Sequence, residues 1–333
     1  MTLNLAPLNL SDFITGSASK RNEFTTKLLG DLARTGFCKI TGHGFSEEDV
    51  ERLFSHSKKF FKISPESKTA IAHIPGPEPQ RGWSRIGSEN TTKLFGRLEN
   101  NGFDTERQDA REHFDQGPTT DTAYPNKWPA EAELPGFREE MEAAFLKFKG
   151  VSDDILSALE EALNLPAGAF RGMVSNDASE FRLNHYPSIS VEEMRRGQKS
   201  RIWPHYDLGV ITLLFQDSVG GLEIEDRTRG GNDAFLPVTR GAPSELVVNI
   251  SETFQRWTNG FIPAGLHRVT TPAHLKSLES GVLPERYSIA YFCKADRQAN
   301  VGPLERFVTE NTPAAYDDVT AMQYQQRRLL QAY

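Results

Sequence analysis

Trp203-Pro204-His205-Tyr206-Asp207-Leu208-Gly209-Val210-Ile211-Thr212-Leu213-Leu214-Phe215-Gln216 is the stretch on which the reading of this chain turns. A His-x-Asp pair runs straight into an apolar stretch of strand character. The turn Asp217-Ser218-Val219-Gly220-Gly221 and a second short strand, Leu222 to Glu225, follow. In an extended chain, residues two apart share a face and lie roughly 6.5–7 Å apart. His205 and Asp207 therefore point the same way from a strand end, where ligand geometry can be held rigidly. His267, in Gly265-Leu266-His267-Arg268-Val269, offers a third ligand from another strand. Two imidazoles and one carboxylate on one side of an octahedral metal leave the opposite positions open. His-x-Asp alone recurs by chance, so its weight comes from its surroundings.

Downstream, Arg286-Tyr287-Ser288 again sets two residues on one strand face. An arginine fork beside a hydroxyl suits bidentate binding of a carboxylate. Around these segments, from about Glu180 to Cys293, the chain reads as short strands separated by turns. The strongest are Phe181 to Tyr186, Gly209 to Gln216, Gly221 to Glu225, Glu245 to Ile250, Gly265 to Thr270 and Arg286 to Cys293. Many short strands with Gly and Pro turns predict a sandwich or jelly roll.

The first part has a different texture. Phe24, Leu28, Leu29, Leu32 and Ala33 recur at helical spacing over residues 20–36. A strand from Gly36 to Ile40 follows, then a capped helix from Ser46 to about Phe61. Residues 73–130 read as irregular, with Phe95, Phe103 and Phe114 spread through them, and a long helix is expected from Pro135 to about Leu163. A final helix is expected over 317–332, its Gln325-Gln326-Arg327-Arg328 run forming a solvated face.

Composition narrows the class. The 333 residues are 38% hydrophobic and 25% charged, with net charge −7. The acidic balance and the lack of any long Lys/Arg run argue against a nucleic-acid partner. No apolar run is long enough to span a bilayer, and the start Met1-Thr2-Leu3-Asn4-Leu5-Ala6 lacks the features of a signal peptide, so the default address is cytoplasmic. Cys38 and Cys293, each in an apolar run, could pair, but buried free thiols in a reducing compartment are the preferred reading. Nothing here fixes the number of subunits.

Taken together, the segments resemble the iron(II)/2-oxoglutarate-dependent dioxygenases of the isopenicillin-N-synthase-like group. The likeness spans most of the chain: Gly36-Phe37 through Thr41-Gly42-His43-Gly44, Phe60 to Lys68, Arg81-Gly82-Trp83, Leu134-Pro135-Gly136-Phe137, Arg182 to Pro187, the His-x-Asp segment, Trp257-Thr258-Asn259-Gly260, His267 and Arg286-x-Ser288. The resemblance implies a mainly β fold with flanking helices: a double-stranded β-helix (jelly roll) core with a helical N-terminal region packed on it. It implies a helix-rich part over 1–175, a catalytic core over 176–300 and a C-terminal helical segment over 301–333. Iron would bind His205, Asp207 and His267. The far carboxylate of 2-oxoglutarate would meet Arg286 and Ser288, with Tyr186 as a further donor and Asn184 touching cosubstrate or substrate. Dioxygen would be the second cosubstrate, and a small organic metabolite, of secondary metabolism, the substrate. The chain departs from many relatives at Asn249-Ile250-Ser251-Glu252, where they carry Asn-x-Gly-Asp.

Other residues have plainer readings. Trp203 lines the pocket if residues 203–207 are extended, with Pro204 the place where that alternation can fail. His185 should face away from the site, and His43 is structural. His56, His73, His113 and His274 are surface or local hydrogen-bonding groups, Arg182 is a salt-bridge residue in preference to a substrate contact, and Trp83, Phe95, Phe103 and Phe114 are core. Three rival functions remain. One is an oxidase of the same fold working without a keto acid. Another is a non-catalytic jelly-roll binding protein. The third is a zinc hydrolase, whose helix-borne His-Glu-x-x-His is absent.

Overall fold

The structure, a computed structural model, describes residues 5–89, 91, 107–175, 178–228 and 234–332. Phe95 and Phe103, and the first four residues, lie outside the described residues.

Local signals set the helices. Ser17 accepts from the Lys20 N–H to open Ala18–Thr35, and Gly36, left-handed at φ 77°, ends it. Ser46 and Asp49 form a reciprocal capping box at the start of Glu47–Phe61. The long helix Phe137–Ala162 buries Phe137, Met141, Phe145, Phe148 and Ile155 along one stripe.

Two sheets carry most of the strands, with two further two-stranded pairs beside them. An eight-stranded sheet runs in the spatial order Leu8–Asn9, Phe37–Thr41, Leu246–Ile250, Ile211–Gln216, Arg286–Cys293, Glu180–Tyr186, Glu112–Gln116, Gly82–Ser84. Its pairings are antiparallel apart from the first. A four-stranded sheet runs Phe235–Pro237, Leu222–Glu225, His267–Val269, Ile202–His205. The two sheets pack face to face, with Phe37, Tyr186 and Val247 of the large sheet meeting Ile202, Leu222, Ile224 and Val269 of the small one.

The large sheet is covered on both faces, and the two-residue period sorts its side chains. Phe181, Leu183, Leu213, Phe215, Val248, Ile289 and Tyr291 join the helical residues Leu28, Phe60, Phe137 and Phe148 in one core. Phe148 stacks on Tyr291 with ring centroids 5.8 Å apart and planes 4° from parallel. The alternate residues, Arg182, Asn184, Tyr186, Thr212, Asn249, Arg286 and Ser288, line a cavity between the sheets.

Three expectations need correction. Residues 73–130 are not wholly irregular: Gly82–Ser84 and Glu112–Gln116 extend the large sheet. They escape a hydrophobic pattern because Glu112-His113-Phe114-Asp115-Gln116 is buried on both faces while holding one apolar residue. His113 is therefore no surface group; it is buried with its Nε2 3.2 Å from Asp115. The 325–328 run is not simply solvated either. Arg327 is exposed, but Arg328 pairs with Glu252 at 2.9 Å and Gln325 lines the cavity. Cys38 and Cys293 are buried free thiols.

One close crossing positions the strand that carries His267. Gly265 donates to the Ile250 carbonyl and Ile250 to that of Gly36, both at 2.9 Å. A Cβ on Gly265 would fall 2.3 Å from Cε2 of Phe37, whose ring packs edge-on to His267 at 5.7 Å. Gly265→Ala should therefore lower the unfolding free energy by about 1–3 kcal/mol in a urea titration, the usual cost of overpacking. An unchanged midpoint would show that the crossing is loose.

Candidate active site

The two sheets bring His205, Asp207 and His267 together. His205 ends one strand of the small sheet, His267 begins its neighbour, and the two are register partners. One potential ligand atom from each of the three residues lies within 4.8 Å of the others. The imidazole centroids are 4.2 Å apart, and Asp207 Oδ1 lies 3.7 Å from Nε2 of His205 and 3.9 Å from Nε2 of His267.

Hydrogen bonds fix which atoms face inward. Nδ1 of His205 donates to the Trp203 carbonyl at 2.9 Å, and Nδ1 of His267 to the Gly265 carbonyl at 3.0 Å. Each neutral ring then presents an Nε2 lone pair to the centre. Oδ2 of Asp207 accepts from Thr212 Oγ1 at 2.7 Å and Asn249 Nδ2 at 2.9 Å, leaving Oδ1 turned inward. Burial, and then His267, push the His205 imidazole down, so it stays neutral. Burial works to raise the Asp207 carboxyl; the two histidines and the bonds from Asn249 and Thr212 outweigh it and hold the group below its usual range. Two imidazole nitrogens and one ionised oxygen form a donor set that fits a divalent first-row metal, whose binding requires both rings unprotonated.

Arg286, fully buried, opens the strand Arg286–Cys293. Its Nε donates to the Gly220 carbonyl at 2.9 Å, and its guanidinium lies over the Tyr186 ring at 4.8 Å. Nη1 and Nη2 are buried without a hydrogen-bond partner. A fork with two idle donors facing a cavity fits the carboxylate of a keto acid. Ser288 is one step along the same face. Its Oγ accepts from Asn184 Nδ2 at 3.3 Å and is 3.5 Å from the Tyr186 hydroxyl. Asn184 Oδ1 in turn accepts from Arg111 at 3.1 Å.

Beyond Asn184 the cavity wall is charged. Arg111 ion-pairs with Glu89, Arg182 with Asp115 at 2.7 Å, and Lys294 with Glu180. Burial opposes ionisation of Glu89, but Arg182 and Arg111 beside it help hold its carboxyl well below the usual range. Arg182 is thus both a salt-bridge residue and part of the lining.

Trp203 is not brought to the cavity. Its indole N–H donates to the Gln108 carbonyl at 3.2 Å and the Arg107 guanidinium covers its ring at 4.6 Å, while Ile202 and His205 line the cavity. Two lining residues three apart break the period of two. The register shows the same break: His267 faces His205 but Val269 faces Ile202, an irregularity spanning Trp203 and Pro204. His185 turns outward, bonded to Glu112 at 2.7 Å and stacked on Tyr287.

Sequence reasoning misses several members. Thr212 lies within the quoted stretch, and its spacing from Asp207 gives no hint of contact across the strand start. Asn249 stands out in the sequence only as the edge of a variant turn. In that turn Glu252 accepts from Tyr324 at 2.8 Å and from Arg328, tying the last helix to the site. Arg111 and Glu89 come from the region that carries no strand signal.

Comparison with known proteins shows the family. Residues 178–295 match the 2OG-Fe(II) oxygenase superfamily, and residues 6–131 match the family described as non-haem dioxygenase in morphine synthesis N-terminal. A 2-oxoglutarate-dependent dioxygenase of Penicillium fellutanum is 47% identical, the match covering 98% of this chain and 94% of that protein. A proline hydroxylase of Petromyces alliaceus is 40% identical over 98% of both. A full-length Neurospora crassa protein, solved in complex with alpha-KG, superposes with a TM-score of 0.84 at 28% identity, covering 98% of this chain and 96% of that one. The pairing of these two matched regions is that of the isopenicillin-N-synthase-like group, whose core is a jelly roll. The chain belongs to the 2OG-Fe(II) oxygenase superfamily: it is an iron(II)- and 2-oxoglutarate-dependent dioxygenase, with dioxygen as its other cosubstrate.

Proposed function

We propose that iron(II) is held by Nε2 of His205, Oδ1 of Asp207 and Nε2 of His267. The far carboxylate of 2-oxoglutarate meets Arg286 and Ser288, with Tyr186 and Asn184 bordering it. The observation that carries this reading is the convergence of three inward-turned donor atoms within 4.8 Å, whose other polar atoms are already bonded. The buried, idle Nη1 and Nη2 of Arg286 support the second half. Bound there, iron(II), 2-oxoglutarate and dioxygen together supply an oxidant able to take hydrogen from an unactivated carbon, with the keto acid decarboxylated to succinate.

The chain's own part is orientation and dryness. Thr212 and Asn249 fix the Asp207 carboxylate, and the carbonyls of Trp203 and Gly265 fix both ring tautomers. Ile202, Leu222 and Val269 wall the cavity and exclude water. In this reading the region 1–175 is a helix-rich covering, 176–300 the catalytic core and 301–333 a closing segment. The substrate is a small metabolite of secondary metabolism. The mixed wall of Arg111, Arg182, Glu89, Phe292 and Leu329 suits a compact molecule bearing ionised groups beside an apolar part. Proline, implied by the name of the Petromyces alliaceus relative, is of that kind.

Replacing His205, Asp207 or His267 by Ala should reduce turnover to background and sharply weaken iron(II) binding, measured by anaerobic titration of the metal-free protein. Full activity in any one of them would dismiss that residue as a ligand. Thr212→Val should keep the fold while weakening iron(II) roughly 10- to 100-fold, the usual worth of an outer partner; an unchanged affinity would make the Thr212 bond incidental. Arg286→Ala should raise the 2-oxoglutarate KM about 10- to 100-fold, from the loss of about 1.5–3 kcal/mol in charge-assisted bonds, and Arg286→Lys should recover part. Succinate should form in step with product. Product formed at full rate without a keto acid would instead favour an oxidase of the same fold.

A further inference from the structure

A second arginine is buried beside Arg286. Arg201 lies between the strands Lys199–Ser200 and Ile202–His205 and is fully buried, as Arg286 is. Its Nη2 donates to the carbonyl of Pro284, two residues before Arg286. Its Nε and Nη1 have no hydrogen-bond partner, nor do Nη1 and Nη2 of Arg286. Four guanidinium nitrogens are thus idle in one part of the interior. Among the described residues no carboxylate lies within ion-pairing distance of either arginine. The acid whose field reaches Arg201 is Asp217. Its Oδ1 already accepts from the Val219 N–H at 2.9 Å and its Oδ2 from the Tyr287 N–H at 2.6 Å. Burial, and then the charge of Arg286, push the Arg201 guanidinium down to about 10, still protonated at neutral pH.

Two buried cations against one engaged carboxylate leave this end of the interior positive. Such a charge is costly until an anion joins it. Pro204 and the irregular register turn Trp203 outward from the same strand, but Arg201 precedes that break and stays inside.

We propose that Arg201 is the second cation of the keto-acid site, a positioning residue behind Arg286 that sets the preference for a dicarboxylate over a monocarboxylate. The proposal rests on the reading that Arg286 receives the far carboxylate of 2-oxoglutarate. Arg286 supplies the idle fork that faces the cavity. Arg201 adds positive potential, and through Pro284 it holds the chain from which Arg286 springs.

The test uses metal-free full-length protein with glutarate, which has both carboxylates and no keto group, and butyrate, which has one carboxylate. Binding is read by calorimetry and by the shift in melting temperature. Glutarate should bind and raise Tm in the native protein, and butyrate should do so far more weakly. Arg201→Gln should weaken glutarate roughly tenfold or more, the effect of removing one nearby charge in a low-dielectric site, with iron(II) affinity unchanged. Arg201→Lys, which keeps the charge, should bind glutarate within a few-fold of the native protein. Native glutarate affinity in a folded Arg201→Gln protein would overturn the proposal. Should that variant not fold, a loss of roughly tenfold in Arg201→Lys with intact iron(II) binding would overturn it equally. Arg286→Ala separates the two readings: undiminished glutarate binding there refutes the keto-acid site itself, whereas loss there with none in Arg201→Gln refutes only the role of Arg201.

Discussion

The carboxylate of Asp207 is buried, and among the described residues no lysine or arginine lies within ion-pairing distance of it. Hydrogen bonds from Thr212 and Asn249 orient the group without neutralising it, and both neighbouring imidazoles are turned so that lone pairs, not N–H groups, face its free oxygen. A buried charge in that condition costs several kcal/mol. A divalent cation at the centre of the three donors would remove the cost and satisfy all three at once. The unfilled polarity of the protein thus indicates its cofactor. Arg286 repeats the logic with opposite sign, as a buried cation whose idle donors fit an anion such as the carboxylate of the cosubstrate.

Those two charges can be buried because the large sheet is covered on both sides. Along Glu180–Tyr186 and Arg286–Cys293, one set of side chains meets the helices and is apolar apart from His185, while the other meets the cavity and is polar apart from Ala290 and Phe292. The helix face supplies the burial that holds the strands in register. Phe148, packed against Phe45, Phe181, Phe215 and Tyr291, is the centre of that support. The chemistry faces the other way, into a wall already fixed by packing. Register then decides function: a one-residue slip in Arg286–Cys293 would send Arg286 and Ser288 into the apolar layer.

The sequence made this legible where period and chemistry coincide. Arg286, Ser288, Asn184 and Tyr186 each share a strand face with a partner two residues away, and the structure sets them on the cavity side; His205 and Asp207 reach the cavity as well, but the strand ends at His205 and Tyr206 between them lines it too. The same rule fails at Trp203, because the irregular pairing opposite Arg268, at Trp203 and Pro204, breaks the alternation it relies on. It is silent for Glu112–Gln116, a strand whose polar residues are buried against partners elsewhere in the fold, Glu112 on His185, Asp115 on Arg182 and Gln116 on the Met141 carbonyl, and whose pattern resembles a loop. Thr212, Asn249, Arg111 and Arg201 are out of reach for another reason. Their roles depend on contacts across strands, which a linear pattern does not contain.

The central claim is that these three donors hold the metal and Arg286 receives the keto acid. A crystal structure of the protein with manganese(II) in place of iron and with 2-oxoglutarate tests it most directly. The account predicts manganese bonded to Nε2 of His205, Oδ1 of Asp207 and Nε2 of His267, and the far carboxylate of 2-oxoglutarate on the Arg286 guanidinium beside Ser288. A metal bound elsewhere, or a keto acid whose far carboxylate avoids Arg286, would contradict it.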